Sequence, residues 1–159
     1  MNPRLGAEIL IRRMAASDLD RVIELARSLK DAPHWPRSAY CATLGPMAAP
    51  LRIALVAEAL ETGTVVGFAV ASLLPPQADL ETIAVAAEWQ RRGAARQIFK
   101  AVANDLKAAQ VSEVLLEVRA SNYPAFALYT ALGFIETGRR SHYYVDPVDD
   151  AVLLELRLL

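Results

Sequence analysis

Short β-favouring runs and longer helical stripes of apolar residues alternate along this chain. Strands are predicted over residues 8–14, 51–60, 64–74, 80–86, 113–119, 134–145 and 151–158. Apolar positions spaced by three and four predict a helix at Leu19, Val22, Ile23, Ala26 and Leu29. The same spacing predicts a longer one at Ala95, Ile98, Phe99, Val102, Leu106 and Ala109. Shorter helices are expected over 37–44 and 122–132, the latter capped by Asn122 and ended by Gly133. Ser17 with Asp20 three residues on reads as the start signal of the first helix. Asp31 to Pro36 is a breaker segment, and Glu61-Thr62-Gly63 is a hairpin turn. The order β-α-α-β-β-β-α-β-α-β-β predicts an α/β fold with one mixed sheet covered by helices.

The stretch from Ala78 to Gln110 organises the rest. A strand runs into Gln90-Arg91-Arg92-Gly93-Ala94-Ala95, and the long helix follows at once. A helix N-terminus leaves backbone N–H groups free to hold phosphate. Gly93 would let the backbone approach closely, and small Ala94 and Ala95 keep the entrance clear. Arg91 and Arg92 oppose the helix dipole, which suits an anionic guest. An ordinary exposed helix start that is basic would read the same way.

Size and composition narrow the class. At 159 residues the chain has the length of one domain. Apolar residues make up 54% of it, much of that Ala, and no apolar run reaches the eighteen or so residues of a membrane span. Residues 1–7 hold Pro3, Arg4 and Gly6 with no apolar core, so no secretory signal is expected. The single Cys41 excludes an internal disulfide framework and fits a reducing cytoplasm. A net charge of −1 argues against binding nucleic acid by bulk electrostatics.

Several residues could carry chemistry. Period two puts Glu113, Leu115, Glu117 and Arg119 on one face of a strand that reads as interior to the sheet. Glu117 lies near its carboxyl end, where open sheets bind ligands. It is either a catalytic carboxylate or the partner of Arg119. Tyr129 shares a helix face with Phe126 and Leu132, as core or as catalyst. Asp79 and Glu81 share a strand face with Ile83 and Val85, as sheet-end charges or a second source of general base. His34, His142 and Cys41 make no metal-ligand spacing, no metal is expected, and Cys41 reads as a packed thiol. Neither G-x-x-x-x-G-K-[ST] nor G-x-G-x-x-G occurs, which counts against an ATPase and a dinucleotide enzyme.

Together these pieces resemble the GNAT superfamily of acyl-CoA N-acyltransferases. Gln90-Arg91-Arg92-Gly93-Ala94-Ala95 matches its Q/R-x-x-G-x-G/A pyrophosphate loop. Leu116-Glu117-Val118-Arg119-Ala120-Ser121-Asn122, with Ala127-Leu128-Tyr129 and Leu132-Gly133-Phe134 behind it, is similar to the bacterial ribosomal-protein-alanine N-acetyltransferase branch. The resemblance implies a mostly antiparallel sheet of about seven strands with about four helices. It implies acetyl-CoA as co-substrate, with Ile83, Ala84 and Val85 along its pantetheine arm, the loop amides on its pyrophosphate, and Asn122 in contact. It further implies Glu117 as general base and Tyr129 as general acid. His34, Trp35, Glu81, Tyr143 and Tyr144 are expected at the acceptor site. The acceptor expected is a protein N-terminus, such as an Ala-initiated ribosomal protein, and the alternatives are a small amine, a lysine side chain, or a non-catalytic acyl-CoA-binding role. The chain departs from the family pattern at Ala86-Ala87-Glu88, at Ala95, and in the shorter segment 144–150.

Overall fold

The computed structural model describes residues 8–30, 32–44 and 51–158. Residues 1–7 and Asp31, which carried part of the reading above, lie outside them. The elements run β1 (Ile9–Arg13), α1 (Leu19–Ser28), α2 (Arg37–Leu44), β2 (Leu51–Ala59), β3 (Val65–Leu74) and β4 (Gln77–Val85). Then come α3 (Ala94–Ala108), β5 (Glu113–Arg119), α4 (Tyr123–Ala131), β6 (Ile135–Val145) and β7 (Val148–Arg157). Single 3-10 turns precede α1 and α3. β7 begins three residues earlier than expected, so the turn after β6 shrinks to Asp146-Pro147.

The helix-start signal at Ser17 and Asp20 is corrected. Asp18 fastens this corner instead: its carboxylate accepts the Ala15 amide at 2.8 Å and the Arg12 guanidinium at 2.8 and 2.9 Å. Arg12 reaches on to Glu58 at 2.8 Å, which ties β1, α1 and β2 together. These bonds hold the Asp18 carboxyl below its ordinary range.

The seven strands lie in the order β1-β2-β3-β4-β5-β7-β6, antiparallel except for β4 beside β5. β5 is interior, as its apolar character requires. One face carries a core of Val85, Ile98, Phe99, Val102, Leu106, Val114, Leu116 and Val118, with α4 packed on it through Phe126 and Tyr129. The other face buries Val22, Leu25, Tyr40, Phe68 and Ala84 under α1 and α2. Gly67 sets the spacing under α3, because a Cβ there would meet Ile98 at 2.9 Å and the Ala84 carbonyl at 3.0 Å.

The feature that positions the site is a break in pairing. β4 and β5 are in register for three residues only, the last pair being Asp79 with Leu115. Opposite β3, Val70 pairs with Thr82 and Ala71 with Leu80, so Glu81 is the extra residue of a bulge. A bulge bends its strand and increases the local twist. Beyond Glu81, therefore, β4 leaves β5 and a wedge opens between them.

Candidate active site

One wall of the wedge is the free edge of β4. Ala86 donates its amide to Val66 at 2.8 Å, so Val66 and Ala86 form a hydrogen-bonded pair. Along an antiparallel ladder such pairs alternate with pairs whose N–H and C=O point outward. Gly67–Val85 and Ala69–Ile83 are the outward pairs. Ile83 and Val85 therefore present their backbone groups to the wedge, and Ala84 turns its own toward β3. The Gln90 side chain takes one of them, donating to the Val85 carbonyl at 3.0 Å. The Val85 amide remains directed into the gap.

The basic corner closes the upper end. Gly93 caps α3 with φ +83°, and an added Cβ would meet nothing within 4 Å. Its left-handed backbone, not crowding within the chain, is what calls for glycine. No side chain caps α3, so its first amides are open to an anion. Ala94 is buried and Ala95 half-buried, while Arg91 is exposed with φ +60°. The Arg92 side chain donates to Glu8 at 2.9 Å and stacks 4.4 Å over Trp89. A bare helix start, an open strand edge and one exposed arginine suit the diphosphate and amide-bearing arm of coenzyme A.

The opposite wall carries the two reactive candidates. Val114, Leu116 and Val118 point into the α3 face, so Glu117 projects to the other. Tyr129 packs on the α3 side, its ring 5.7 Å from Phe134. Glu117 and Tyr129 thus lie on opposite faces of β5. Apolar surroundings push the Tyr129 phenol up to about 12. Its hydroxyl has no hydrogen-bond partner among the described residues. Asn122 caps α4, accepting the Ala125 amide at 3.2 Å.

Glu117 and Arg119 are not partners. The nearest cation to Glu117 is Arg140 of β6 at 3.7 Å, too long for a hydrogen bond. Arg119 lies 4.1 Å over the Tyr144 ring and donates to the Pro147 carbonyl at 3.0 Å. Burial, together with Glu117, raises the Tyr144 phenol. Tyr143 stands against Tyr144 with ring centres 5.1 Å apart and is itself exposed.

The expectation that Glu81 shares a face with Ile83 and Val85 is corrected, because the bulge breaks the alternation at that residue. Glu81 lies on the α2 face and accepts from Arg52 at 2.9 Å. It lines a cavity of about 170 Å³ with Trp35, Ala39, Thr43 and Arg52. His34 lines no part of it and contacts the Leu29 carbonyl at 3.4 Å. Asp79, in the last pair before the strands part, is raised by desolvation first and by Glu81 and Glu117 next, so three carboxylates gather there. Cys41 is exposed, not packed: it falls on the outer side of α2, whose inner side turns Tyr40 and Thr43 inward. No group of described residues could hold a metal. Sequence reading missed Arg52, Arg140 and the contacts of Arg119, because each partner lies far away in the chain.

A mixed sheet parted between two parallel neighbours, with a bare helix start at the opening, forms a cleft suited to an anionic carrier with an amide-bearing arm. Residues 19–134 match the acetyltransferase (GNAT) family, and the chain belongs to it. The [ribosomal protein bS18]-alanine N-acetyltransferase of Escherichia coli K12 is 37% identical over 98 residues. That match covers 60% of this chain and 66% of the relative, slightly under two thirds of its length. An N-alpha-acetyltransferase of Saccharolobus solfataricus is 30% identical over 161 residues, covering 94% of this chain and 93% of that protein. The crystal structure of the E. coli ribosomal-protein-S18-alanine N-acetyltransferase superposes with a TM-score of 0.81 at 28% identity, over 94% of each chain.

Proposed function

We propose that this chain, acting as one cytoplasmic domain, transfers the acetyl group of acetyl-CoA to the α-amine of a protein N-terminus. The names of the relatives support the α-amine, and an alanine-initiated ribosomal protein is the acceptor they favour. The observation that carries the reading is the wedge itself, with the outward Val85 amide on one wall and Glu117 and Tyr129 on either face of the other.

Acetyl-CoA supplies an acetyl thioester, and the rest falls to this chain's own groups. An α-ammonium titrates near 7.7–8.0, so its deprotonation at pH 7 costs only about 1.0–1.4 kcal/mol, against about 4.6 for a lysine. Glu117, loosely held by Arg140, keeps lone pairs to accept that proton directly or through one water. Glu81 is a weaker candidate, since Arg52 occupies one of its oxygens. The Val85 amide is available to polarise the thioester carbonyl. Tyr129 stays protonated across neutral pH, as its raised value of about 12 requires. Full proton transfer to a thiolate of pKa about 8.5 would cost about 5 kcal/mol, so Tyr129 acts by donating a hydrogen bond to the departing sulfur.

The test mixes the protein with acetyl-CoA and peptides beginning Ala, Ser or Met, an N-blocked lysine peptide, and a small amine, and follows free thiol. Release is expected with the free N-termini, greatest for Ala. Release with the lysine peptide or the small amine alone would reassign the acceptor. None with any amine, together with tight acetyl-CoA binding, would make this a binding domain.

A further inference from the structure

The β6–β7 hairpin presents Tyr143 and Tyr144 to the site, yet little apolar packing holds it. β6 is the outermost strand and nearly all of it is exposed. At its tip Val145 is 82% and Val148 63% exposed, so the hydrophobic effect does not fix the tip. Polar contacts do. Ser121 donates its hydroxyl to Asp149 at 2.6 Å and its amide to the same oxygen at 3.2 Å. The other oxygen of Asp149 accepts the Asp150 amide at 2.8 Å. Ala120 donates to the Asp150 carbonyl at 2.9 Å, and Arg119 to the carbonyls of Pro147 at 3.0 Å and Asp146 at 3.4 Å.

The neighbouring acid faces the other way. Asp150 accepts the His142 amide at 2.9 Å and so closes the bulge at 141–143, where His142 has φ +52°. Three consecutive residues, Arg119 to Ser121, therefore hold the hairpin from one side. The next residue, Asn122, caps the helix that carries Tyr129.

We infer that Ser121, Asp149 and Arg119 are positioning residues for the acceptor: they latch the hairpin to the turn opening α4 and hold Tyr144 beside Glu117. The inference rests on the N-terminal acetyltransferase reading, and it assigns the latch to acceptor binding and not to chemistry. Without it the hairpin keeps the β6–β7 ladder, the Ala120–Asp150 backbone bond and the His142–Asp150 contact, its tip is held less firmly, and an incoming peptide would have to order the tip as it binds.

The experiment compares Ser121→Ala, Ser121→Thr and Asp149→Asn with the wild type on an Ala-initiated peptide. Ser121→Ala is expected to raise the peptide KM about tenfold, roughly what losing one charge-assisted hydrogen bond yields. Its kcat should stay within about twofold and its acetyl-CoA Kd unchanged, and Ser121→Thr should restore KM. Ser121→Ala with Asp149→Asn should cost less than the two single changes summed, since both weaken the hydroxyl–carboxylate contact. An unchanged KM in Ser121→Ala overturns the inference, as does a rise in KM accompanied by an equal loss of acetyl-CoA affinity. Hydrogen exchange serves independently of the acceptor: amides of 141–146 should exchange faster in Ser121→Ala, and unaltered exchange removes the latch even if the wild type acetylates nothing in the panel.

Discussion

Glu117 and Tyr129 are separated by the plane of β5, and on the proposed mechanism that separation divides their work. Glu117, on the side of Asp79 and Glu81, would meet the incoming amine, and Tyr129, on the apolar side, the departing sulfur. Glu117→Gln removes a base and is expected to lower kcat by roughly 10²–10⁴. Tyr129→Phe removes one hydrogen-bond donor and is expected to lower kcat by roughly 10²–10³. Neither should change the acetyl-CoA Kd appreciably, because the loop amides and the β4 edge lie on other elements. Steady-state kinetics with direct titration of acetyl-CoA checks both. Wild-type turnover in either variant removes that residue from the reaction.

Among the elements, α3 depends on two glycines for unlike reasons. Gly67 lies beneath it with no room for a Cβ, one of whose contacts would be the backbone oxygen of Ala84. Gly67→Ala should cost about 1–3 kcal/mol of stability in urea unfolding, as overpacking does. Gly93 has open space around it and φ +83°, so Gly93→Ala strains the backbone by about 1–2 kcal/mol instead. Only the second change disturbs the uncapped amides at the start of α3, to which the proposed function assigns the diphosphate. Weaker acetyl-CoA binding is therefore expected from Gly93→Ala, out of proportion to its stability loss, and not from Gly67→Ala. Isothermal titration beside urea melts separates the two.

For the whole molecule, acetyl-CoA at a hundred times its Kd should add about 2.7 kcal/mol of stability. In a melt that is a rise of roughly 5–10 °C for a chain of this size, with much less from NADH or ATP. Acid acts in the opposite sense. The folded Asp18 carboxyl titrates below its ordinary value of 3.8, so its contribution is complete above that value and is lost as pH falls through the lower folded one. Asp18→Asn should destabilise the protein by about 1–3 kcal/mol at pH 7, since it leaves Arg12 short of a partner. The gap to wild type should narrow progressively as pH falls below about 4. A constant gap across that range would show that the ion pair contributes nothing through its charge.

By itself the sequence determined whatever depends on neighbours along the chain. Periodicity located seven strands and four helices, because side chains on a strand or helix repeat with the geometry of that element. It marked the glycine corner before α3, the Asn122 cap and the one-sided stripe of Phe126, Tyr129 and Leu132. Tertiary structure decided what depends on pairing. A single extra residue at Glu81 shifts the alternation of β4, moves that carboxylate to the α2 face and parts the strand from β5. Arg140, not Arg119, stands by Glu117, and Ser121 meets Asp149 across 28 positions. No local pattern encodes such contacts, since each needs the register of a sheet whose strands are assembled out of chain order.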